Sequence, residues 1–211
     1  MRNSNKIPAK GKPIIAVVVD GQTESWYLAM IARNEPDASF RIKPEIPQNK
    51  SLVEQYAKVV SLAADYDEVI WIVDFDVILK ETREGKRGEL GAMRIFMRLK
   101  SKLESEYDNV TVIINQPCIE FWLLIHFEYT QAPFENCAGA EGRLKRHLGD
   151  YSKTQKYYTR EGNDIYLKMK ELLPVAIENS KRFGKFDFDN PDRGYTNMHV
   201  LFEKLQLIAV D

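Results

Sequence analysis

Two short runs of uncharged, mostly β-branched residues constrain the fold of this chain more than any other feature. Residues 14–19 are IIAVVV and residues 69–73 are VIWIV. Strands this apolar turn neither face to water, which is typical of a largely parallel sheet covered by helices on both faces. We therefore expect helices in the segments that connect such strands.

The segments around these two runs support that expectation. Ser51 followed by Glu54 is a capping-box pattern that opens a helix. Pro44 cannot donate to a ladder, so the strand that contains it is expected at a sheet edge. Residues 119–127 are so uniformly apolar that they predict a buried helix. Strand-like and helical patterns alternate, with strands at 40–44 and 110–114 and helices at 24–34, 51–63 and 89–104. The alternation predicts βαβ units and an α/β fold.

From residue 138 onward the strand-like pattern stops. Helical patterns follow at 139–148, 164–173, 174–183 and 197–210. We predict a flexible polar lead-in over residues 1–13, an α/β domain over residues 14–130, and a helical extension over residues 131–211 that packs on it.

Composition limits the compartment and the class of partner. The net charge is -1, so any affinity for nucleic acid must come from local patches. No apolar run approaches the roughly 20 residues that span a bilayer, and no signal-peptide pattern follows the polar start. Cys118 and Cys137 are the two cysteines, and they form no metal-spaced cluster. We expect a cytoplasmic protein with reduced thiols and no membrane partner.

Carboxylates follow both buried strands. Asp20 and Glu24 come after the first, and Asp74 and Asp76 come after the second. The carboxyl ends of parallel strands form a crevice in which ligands bind. If the second strand continued through its D-x-D, both carboxylates would point the same way, and a cation would relieve their repulsion. The pattern predicts Mg²⁺ or Mn²⁺ held by Asp20, Asp74 and Asp76, whereas solvated loop carboxylates are the alternative.

The turn after the first strand is a candidate phosphate site. Gly21 would let the chain bend off the strand, and Thr23 would cap the following helix. The amino end of that helix would bind phosphate beside the metal. The alternative is simple capping, with Glu24 complementing the helix dipole.

The acidic turn and the later D-x-D together resemble the TOPRIM domain of primases, topoisomerases and overcoming-lysogenization-defect nucleases. Residues 115–127, NQPCIEFWLLIHF, are similar to the S-N-P-C-F-E-x-W-L-L-x-H-F signature of the RloB-like family. The resemblance extends from about residue 14 to residue 207. Its further matches are Tyr151-Ser152-Lys153, the helix around Ala176-Ile177, Asn190-Pro191, Thr196 and residues 200–205.

This resemblance implies a TOPRIM-like fold and metal-dependent cleavage of nucleic acid in prokaryotic antiviral defence of the abortive-infection kind. It also implies a partner ATPase of the ABC or AAA type, encoded nearby. By position, Asp74 and Asp76 match the family's D-x-D, Glu24 matches the second acid of the turn, and Glu120 matches the acid of the P-C-F-E segment. Asp20 stands where the family pattern has Glu, in a turn one residue shorter. Its carboxylate is therefore expected to reach about one methylene less far.

Three polar residues of the signature segment need separate interpretation. Glu120, in the first turn of an apolar helix, is a candidate catalytic residue that ligates the metal or orients a water. His126 lies roughly 120° around the helix from Glu120, so the two need not share a site. A satisfied, partly buried histidine is favoured over a catalytic base. Asn115, at the end of the fourth strand, is expected to fix the turn before Pro117 and to face the same crevice.

Two basic stretches are candidates for binding nucleic acid. The first places Arg94, Arg98 and Lys102 on one helix face, for which a solvated surface is an equally good interpretation. In the second, basic and aromatic residues alternate, and the basic ones would neutralise phosphates while the tyrosines stack on bases. Its members are Lys153, Lys156, Tyr157, Tyr158 and Arg160.

The leading hypothesis is a Mg²⁺- or Mn²⁺-dependent nuclease, a phosphodiester hydrolase that works with the ATPase and in which Glu24 and Glu120 serve catalysis. The alternative is a non-catalytic TOPRIM-fold subunit that binds nucleic acid or a nucleotide for that ATPase, and the Asp at position 20 favours it. A homo-oligomer is compatible with both. No Walker A pattern occurs, so the chain is not itself the ATPase.

Overall fold

The computed structural model describes residues 12–38, 40–48, 51–85 and 90–207. Within these ranges, five strands form one sheet in the order β2-β1-β3-β4-β5. Neighbouring strands are parallel except for the antiparallel β4–β5 pair. The strands are β1 (Ile14–Val18), β2 (Arg41–Glu45), β3 (Glu68–Asp74), β4 (Val110–Gln116) and β5 (Tyr195–Thr196). The predicted α/β fold with a largely parallel sheet is confirmed, and β2 is an edge strand as expected from Pro44.

Helices cover both faces of this sheet. Because crossovers between parallel strands are right-handed, the reversal of direction after β2 places α1 on one face and α2 and α4 on the other. Accordingly α2 contacts α4, whereas α1 contacts α7 and α8. The helices are α1 (Gln22–Asn34), α2 (Leu52–Ala63), α3 (Phe75–Glu84), α4 (Ala92–Glu106), α5 (Ile119–Leu124), α6 (Cys137–Leu144), α7 (Gln155–Tyr158), α8 (Ile165–Lys170), α9 (Leu173–Arg182) and α10 (His199–Lys204).

The strand that precedes the D-x-D does not continue through it. β3 ends at Asp74 and α3 begins at Phe75, so Asp76 lies in the first turn of a helix. The condition under which both carboxylates would point the same way along one strand is therefore not met. Phe75, Ile78 and Leu79 are buried at helical spacing, and this periodicity replaces the strand pattern immediately after Asp74.

Helix capping is predicted correctly for α2 and incorrectly for α1. The Ser51 side chain accepts a hydrogen bond from the Glu54 N–H at 3.3 Å, as the capping-box pattern predicts. In α1 the N-cap residue is Gly21, which offers no side chain, and Thr23 is buried inside the first turn. The expected cap by Thr23 is therefore wrong, because the helix begins one residue before it.

The C-terminal part of the chain contributes helices and one short strand. The strand β5 pairs with the end of β4, with Thr196 opposite Asn115. The expectation that no strand follows residue 138 is wrong at this point, because two residues are too few to show a strand periodicity. Residues 1–11 of the predicted lead-in and residues 208–210 of the last predicted helix lie outside the described residues.

The cysteines form a disulfide between Cys118 and Cys137, so the expectation of reduced thiols is wrong in this structure. The bridge joins the turn between β4 and α5 to the start of α6, across a sequence separation of 19. Over the described ranges, no helix is both long enough and apolar enough to cross a membrane.

Candidate metal centre

The sheet topology places two acidic strand ends at one crevice. The chain leaves β1 towards β2 on one side, and β3 then lies on the other side of β1. In an open α/β sheet, the crevice outside the carboxyl ends at such a reversal is the usual place for a ligand. Asp20 follows β1 by two residues and Asp74 is the last residue of β3, so both carboxylates lie at this crevice.

Glu24 completes a close group of carboxylates with these two residues. The ligand oxygens of Asp20, Glu24 and Asp74 all lie within 4.8 Å of one another. The shorter side chain of Asp20 therefore does not keep it out of the group. Gly21 makes room for this arrangement, since a Cβ on Gly21 would come within 2.5 Å of Glu24 Oε2. Its φ of -133° suits any residue, so close approach rather than a special bend explains the glycine.

The group is electrostatically crowded. Burial, with the carboxylates of Asp20 and Glu120, raises the pKa of Glu24 to about 7. Burial, with the carboxylates of Glu24 and Asp20, also raises the pKa of Asp74 well above its usual range. The Oδ1 atom of Asp74 is buried and has no hydrogen-bond partner among the described residues. A hard divalent cation fits these residues, because it would supply both the missing charge and the missing partner.

Asp76 lies beside this close group and is not one of its three members. Its Oδ2 accepts a hydrogen bond from the Cys137 backbone N–H at 2.9 Å. Its own backbone N–H donates to the Pro117 carbonyl at 3.1 Å. Burial raises the pKa of Asp76, although the Cys137 N–H opposes this shift. Of the three predicted ligands, the structure brings Asp20 and Asp74 together with Glu24 and holds Asp76 alongside.

Glu120 is completely buried in the first turn of α5, where it forms an ion pair with a lysine ammonium. Its Oε1 lies 2.9 Å from Lys153 Nζ and accepts the Tyr151 hydroxyl at 2.8 Å. Burial alone would lower the pKa of Lys153, but Glu120, Glu24 and Asp74 raise it. The Lys153 ammonium is therefore within electrostatic reach of the acidic group as well as of its ion-pair partner. No spacing in the sequence indicates the contacts of Tyr151 and Lys153 with Glu120; only the family-like Tyr-Ser-Lys segment could have drawn attention to them.

The remaining residues of the second basic stretch differ in exposure. Tyr158 is fully buried and its hydroxyl lies 2.6 Å from that of Tyr151, so the predicted stacking of Tyr158 on a base cannot occur in this conformation. Tyr157 is half-buried, with the Lys168 ammonium 5.2 Å from its ring centre. Lys156 and Arg160 are exposed.

The first basic stretch lies along α4. Arg94, Arg98 and Lys102 are all exposed there, and the Lys102 ammonium lies 5.8 Å from the centre of the Tyr56 ring. Because α4 runs from the end of α3 back towards the start of β4, these three residues lie successively farther from the carboxyl edge of the sheet, by about 6 Å per step.

Asn115 and His126 make structural contacts. The Asn115 Oδ1 accepts the Thr196 hydroxyl at 2.7 Å, which ties β4 to β5. His126 Nδ1 lies 2.9 Å from the Trp122 carbonyl oxygen, and burial lowers the pKa of His126 to about 4. The histidine is fully rather than partly buried, and its Nε2 has no hydrogen-bond partner among the described residues, so the prediction of a satisfied ring is wrong for that nitrogen. Asn115 lies opposite Asp74 at the carboxyl end of β4, whereas His126 is not one of the three residues of the close carboxylate group.

The protein has a mostly parallel five-stranded sheet, with carboxylates at the ends of the neighbouring strands β1 and β3. This architecture defines a TOPRIM-like α/β protein. The chain belongs to the RloB-like protein family, whose model matches residues 15–205. The resemblance in the signature segment is thereby confirmed. A search of curated proteins and a search of solved structures each found no significant match.

Proposed function

We propose that this protein is a Mg²⁺- or Mn²⁺-dependent nuclease that hydrolyses phosphodiester bonds for a prokaryotic defence system, together with a partner ATPase. The observation that carries the proposal is the close group of Asp20, Glu24 and Asp74, whose oxygens lie within 4.8 Å of one another. The unpartnered buried oxygen of Asp74 supports it, because a buried carboxylate oxygen without a partner is costly. The defence role and the ATPase follow from the family resemblance.

Each residue of the centre has a chemical role in this proposal. A divalent ion held by the three carboxylates would polarise a phosphodiester and lower the pKa of a bound water. Lys153 is paired with Glu120 and lies within electrostatic reach of Glu24 and Asp74. It would pair with a phosphate oxygen as negative charge develops. Because Glu120 already accepts two hydrogen bonds at one oxygen, we assign it the role of positioning Lys153. Lys156 and Arg160, which are exposed, would contact the nucleic-acid backbone beyond the centre.

The test combines metal binding with cleavage. Wild-type protein, with and without its ATPase, is titrated with Mn²⁺ by electron paramagnetic resonance and incubated with labelled DNA and RNA. Asp74→Asn keeps the shape of the side chain but removes its charge, so it should lose both metal binding and cleavage. Asp108→Asn is the matched control, because Asp108 is exposed in the turn before β4, at the edge of the sheet opposite the centre. Equal cleavage by Asp74→Asn and wild type would identify a contaminating nuclease.

A second candidate function is a non-catalytic subunit that binds nucleic acid or a nucleotide for the ATPase. The Asp at position 20, where the family pattern has Glu, favours it. Asp20→Glu should raise cleavage if the shorter arm limits the nuclease. If the second candidate is correct, wild type and Asp20→Glu should both bind nucleic acid without cutting it.

A further inference from the structure

The disulfide between Cys118 and Cys137 connects the two segments that hold Asp76. Cys118 directly follows Pro117, whose carbonyl accepts the Asp76 backbone N–H at 3.1 Å. Cys137 is the first residue of α6, and its N–H donates to the Asp76 side chain at 2.9 Å. The covalent bond therefore joins the segment that accepts the Asp76 backbone N–H to the segment that donates to the Asp76 side chain. We call this arrangement the clamp on Asp76.

The same bridge lies against Glu120. Oε2 of Glu120 is 3.0 Å from the Cys118 sulfur and 2.9 Å from the Cys137 sulfur. In a disulfide neither sulfur carries a hydrogen, whereas each thiol could donate one to Oε2. Glu120 is completely buried and cannot turn this oxygen to water. The oxidation state of the pair consequently changes the hydrogen bonding of the residue that holds Lys153.

A reductant can approach the bridge from one side. Cys118 is 1% exposed, whereas Cys137 is partly exposed and its sulfur lies 3.7 Å from Lys153 Nζ. The Lys153 ammonium and the amino end of α6 lie beside this sulfur, and the Glu120 carboxylate contacts it as well. The environment of Cys137 thus combines access with a cation, as in exchange-active disulfides.

We propose that the Cys118–Cys137 bridge is a redox-active disulfide through which a dithiol reductant regulates the metal centre. One thiolate of the dithiol attacks the Cys137 sulfur and expels the Cys118 thiolate, which takes up a proton. The second thiol of the reductant then attacks the reductant's first sulfur, which is now in a mixed disulfide with Cys137. This step releases the Cys137 thiolate, which also takes up a proton. Two electrons and two protons pass to the protein, and the dithiol becomes a disulfide.

Reduction of the bridge should change the metal affinity of the carboxylates, because it releases Asp76 from the clamp; this step rests on the proposed function. In the oxidised protein, Asp76 is held by Cys137 beside the close group of Asp20, Glu24 and Asp74. Reduction lets the start of α6 separate from the Pro117 turn, and Asp76 can then join the other carboxylates. Mn²⁺ affinity should be about tenfold higher in the reduced protein, the size of effect expected from a supporting contact at a metal site.

The test uses the full-length protein in buffers of reduced and oxidised dithiothreitol. Alkylation followed by intact mass spectrometry should show two thiols appearing together, reversibly, with an unchanged circular dichroism spectrum. Amide hydrogen exchange in residues 135–140 should become faster on reduction, and Mn²⁺ titration should show the tenfold gain. The control is the double variant Cys118→Ser/Cys137→Ser, which should not respond to the redox buffer.

A bridge that opens only when the protein unfolds, or thiols that do not pair in oxidised buffer, would overturn the redox proposal. Unchanged amide exchange in residues 135–140 would overturn the clamp, and equal Mn²⁺ affinity in both states would overturn regulation of the centre. If neither state binds Mn²⁺, the proposed nuclease function fails instead, and the amide exchange alone decides whether reduction releases the start of α6.

Discussion

Lys153 lies 2.9 Å from Glu120, so a cation from the C-terminal part of the chain neutralises a carboxylate that has no exposed surface. The two residues belong to different segments, one following α6 and the other opening α5. Removing one partner of a buried ion pair leaves the other charge buried and unpaired. This ion pair therefore links the stability of the fold to the electrostatics of the acidic centre.

The first prediction concerns the stability contribution of this pair. Lys153→Met should lower the free energy of unfolding by about 1–3 kcal/mol, less than for a fully buried pair because the lysine is partly exposed. Urea denaturation measures the change. Lys156→Met is the matched control, since Lys156 is exposed nearby and should change stability by at most about 0.5 kcal/mol. Lys153→Met/Glu120→Gln should recover part of the loss, and a loss equal to that of the control would contradict the prediction.

The second prediction concerns His126 and pH. Burial lowers the pKa of His126 in the folded protein to about 4, below its ordinary 6.5. Protons bind preferentially to the unfolded chain between these values, so the stability present above pH 6.5 is lost as pH falls towards 4. The slope contributed by one such group reaches about 1.4 kcal/mol per pH unit.

Denaturation of wild type and His126→Gln at pH 7, 6 and 5 measures this slope. The variant should be less stable at pH 7 but should lose less stability on acidification than wild type does. Identical slopes in His126→Gln and wild type would show that another group dominates this pH range.

The third prediction concerns the glycine beside the acidic group. A Cβ on Gly21 would meet Glu24 Oε2 at 2.5 Å, so Gly21→Ala should displace that carboxylate and weaken Mn²⁺ binding by about tenfold. The backbone of Gly21 suits alanine, so the melting temperature should change little. Gly142→Ala is the control, because no atom lies within 4 Å of its added Cβ and metal affinity should be unchanged. Unaltered Mn²⁺ affinity in Gly21→Ala would argue against Glu24 as a ligand.

The fourth prediction concerns nucleic-acid binding by the segment around α7. Lys156→Ala/Arg160→Ala should weaken binding to all sequences and reduce the salt slope by about one unit per phosphate contact. Tyr157→Leu should instead cost roughly 1–3 kcal/mol on single strands with the salt slope nearly unchanged. Titrations against single-stranded and duplex substrates at two salt concentrations separate these effects.

Lys58→Ala provides the control for that titration, since Lys58 is already paired with Glu45 and lies on α2, outside both basic stretches. Unchanged binding in Lys156→Ala/Arg160→Ala would remove the nucleic-acid role from this segment. Weakened assembly with the ATPase in both variant classes, with intact nucleic-acid binding, would mark the segment as a docking surface for the partner.

The strands β1 and β3, the parallel sheet around them and the carboxylates at their ends could all be predicted from the order of residues. Burial on both faces leaves a local pattern of uncharged β-branched residues, and parallel strands necessarily end at one edge. Asp20 and Asp74 could therefore be placed at one crevice without coordinates. The signature segment was sufficient to recognise the RloB-like family, which the family model confirms.

Which side chains meet at that crevice depends on the packing of the folded chain and could not be predicted from local patterns. The shift of Asp76 into α3, the pairing of Lys153 with Glu120 and the burial of Tyr158 depend on how separate segments pack. The bridge between Cys118 and Cys137 spans a sequence separation of 19 and depends on the same packing. Periodicity reports the surroundings of neighbouring residues, whereas these contacts arise from surfaces that come together only when the whole chain has folded.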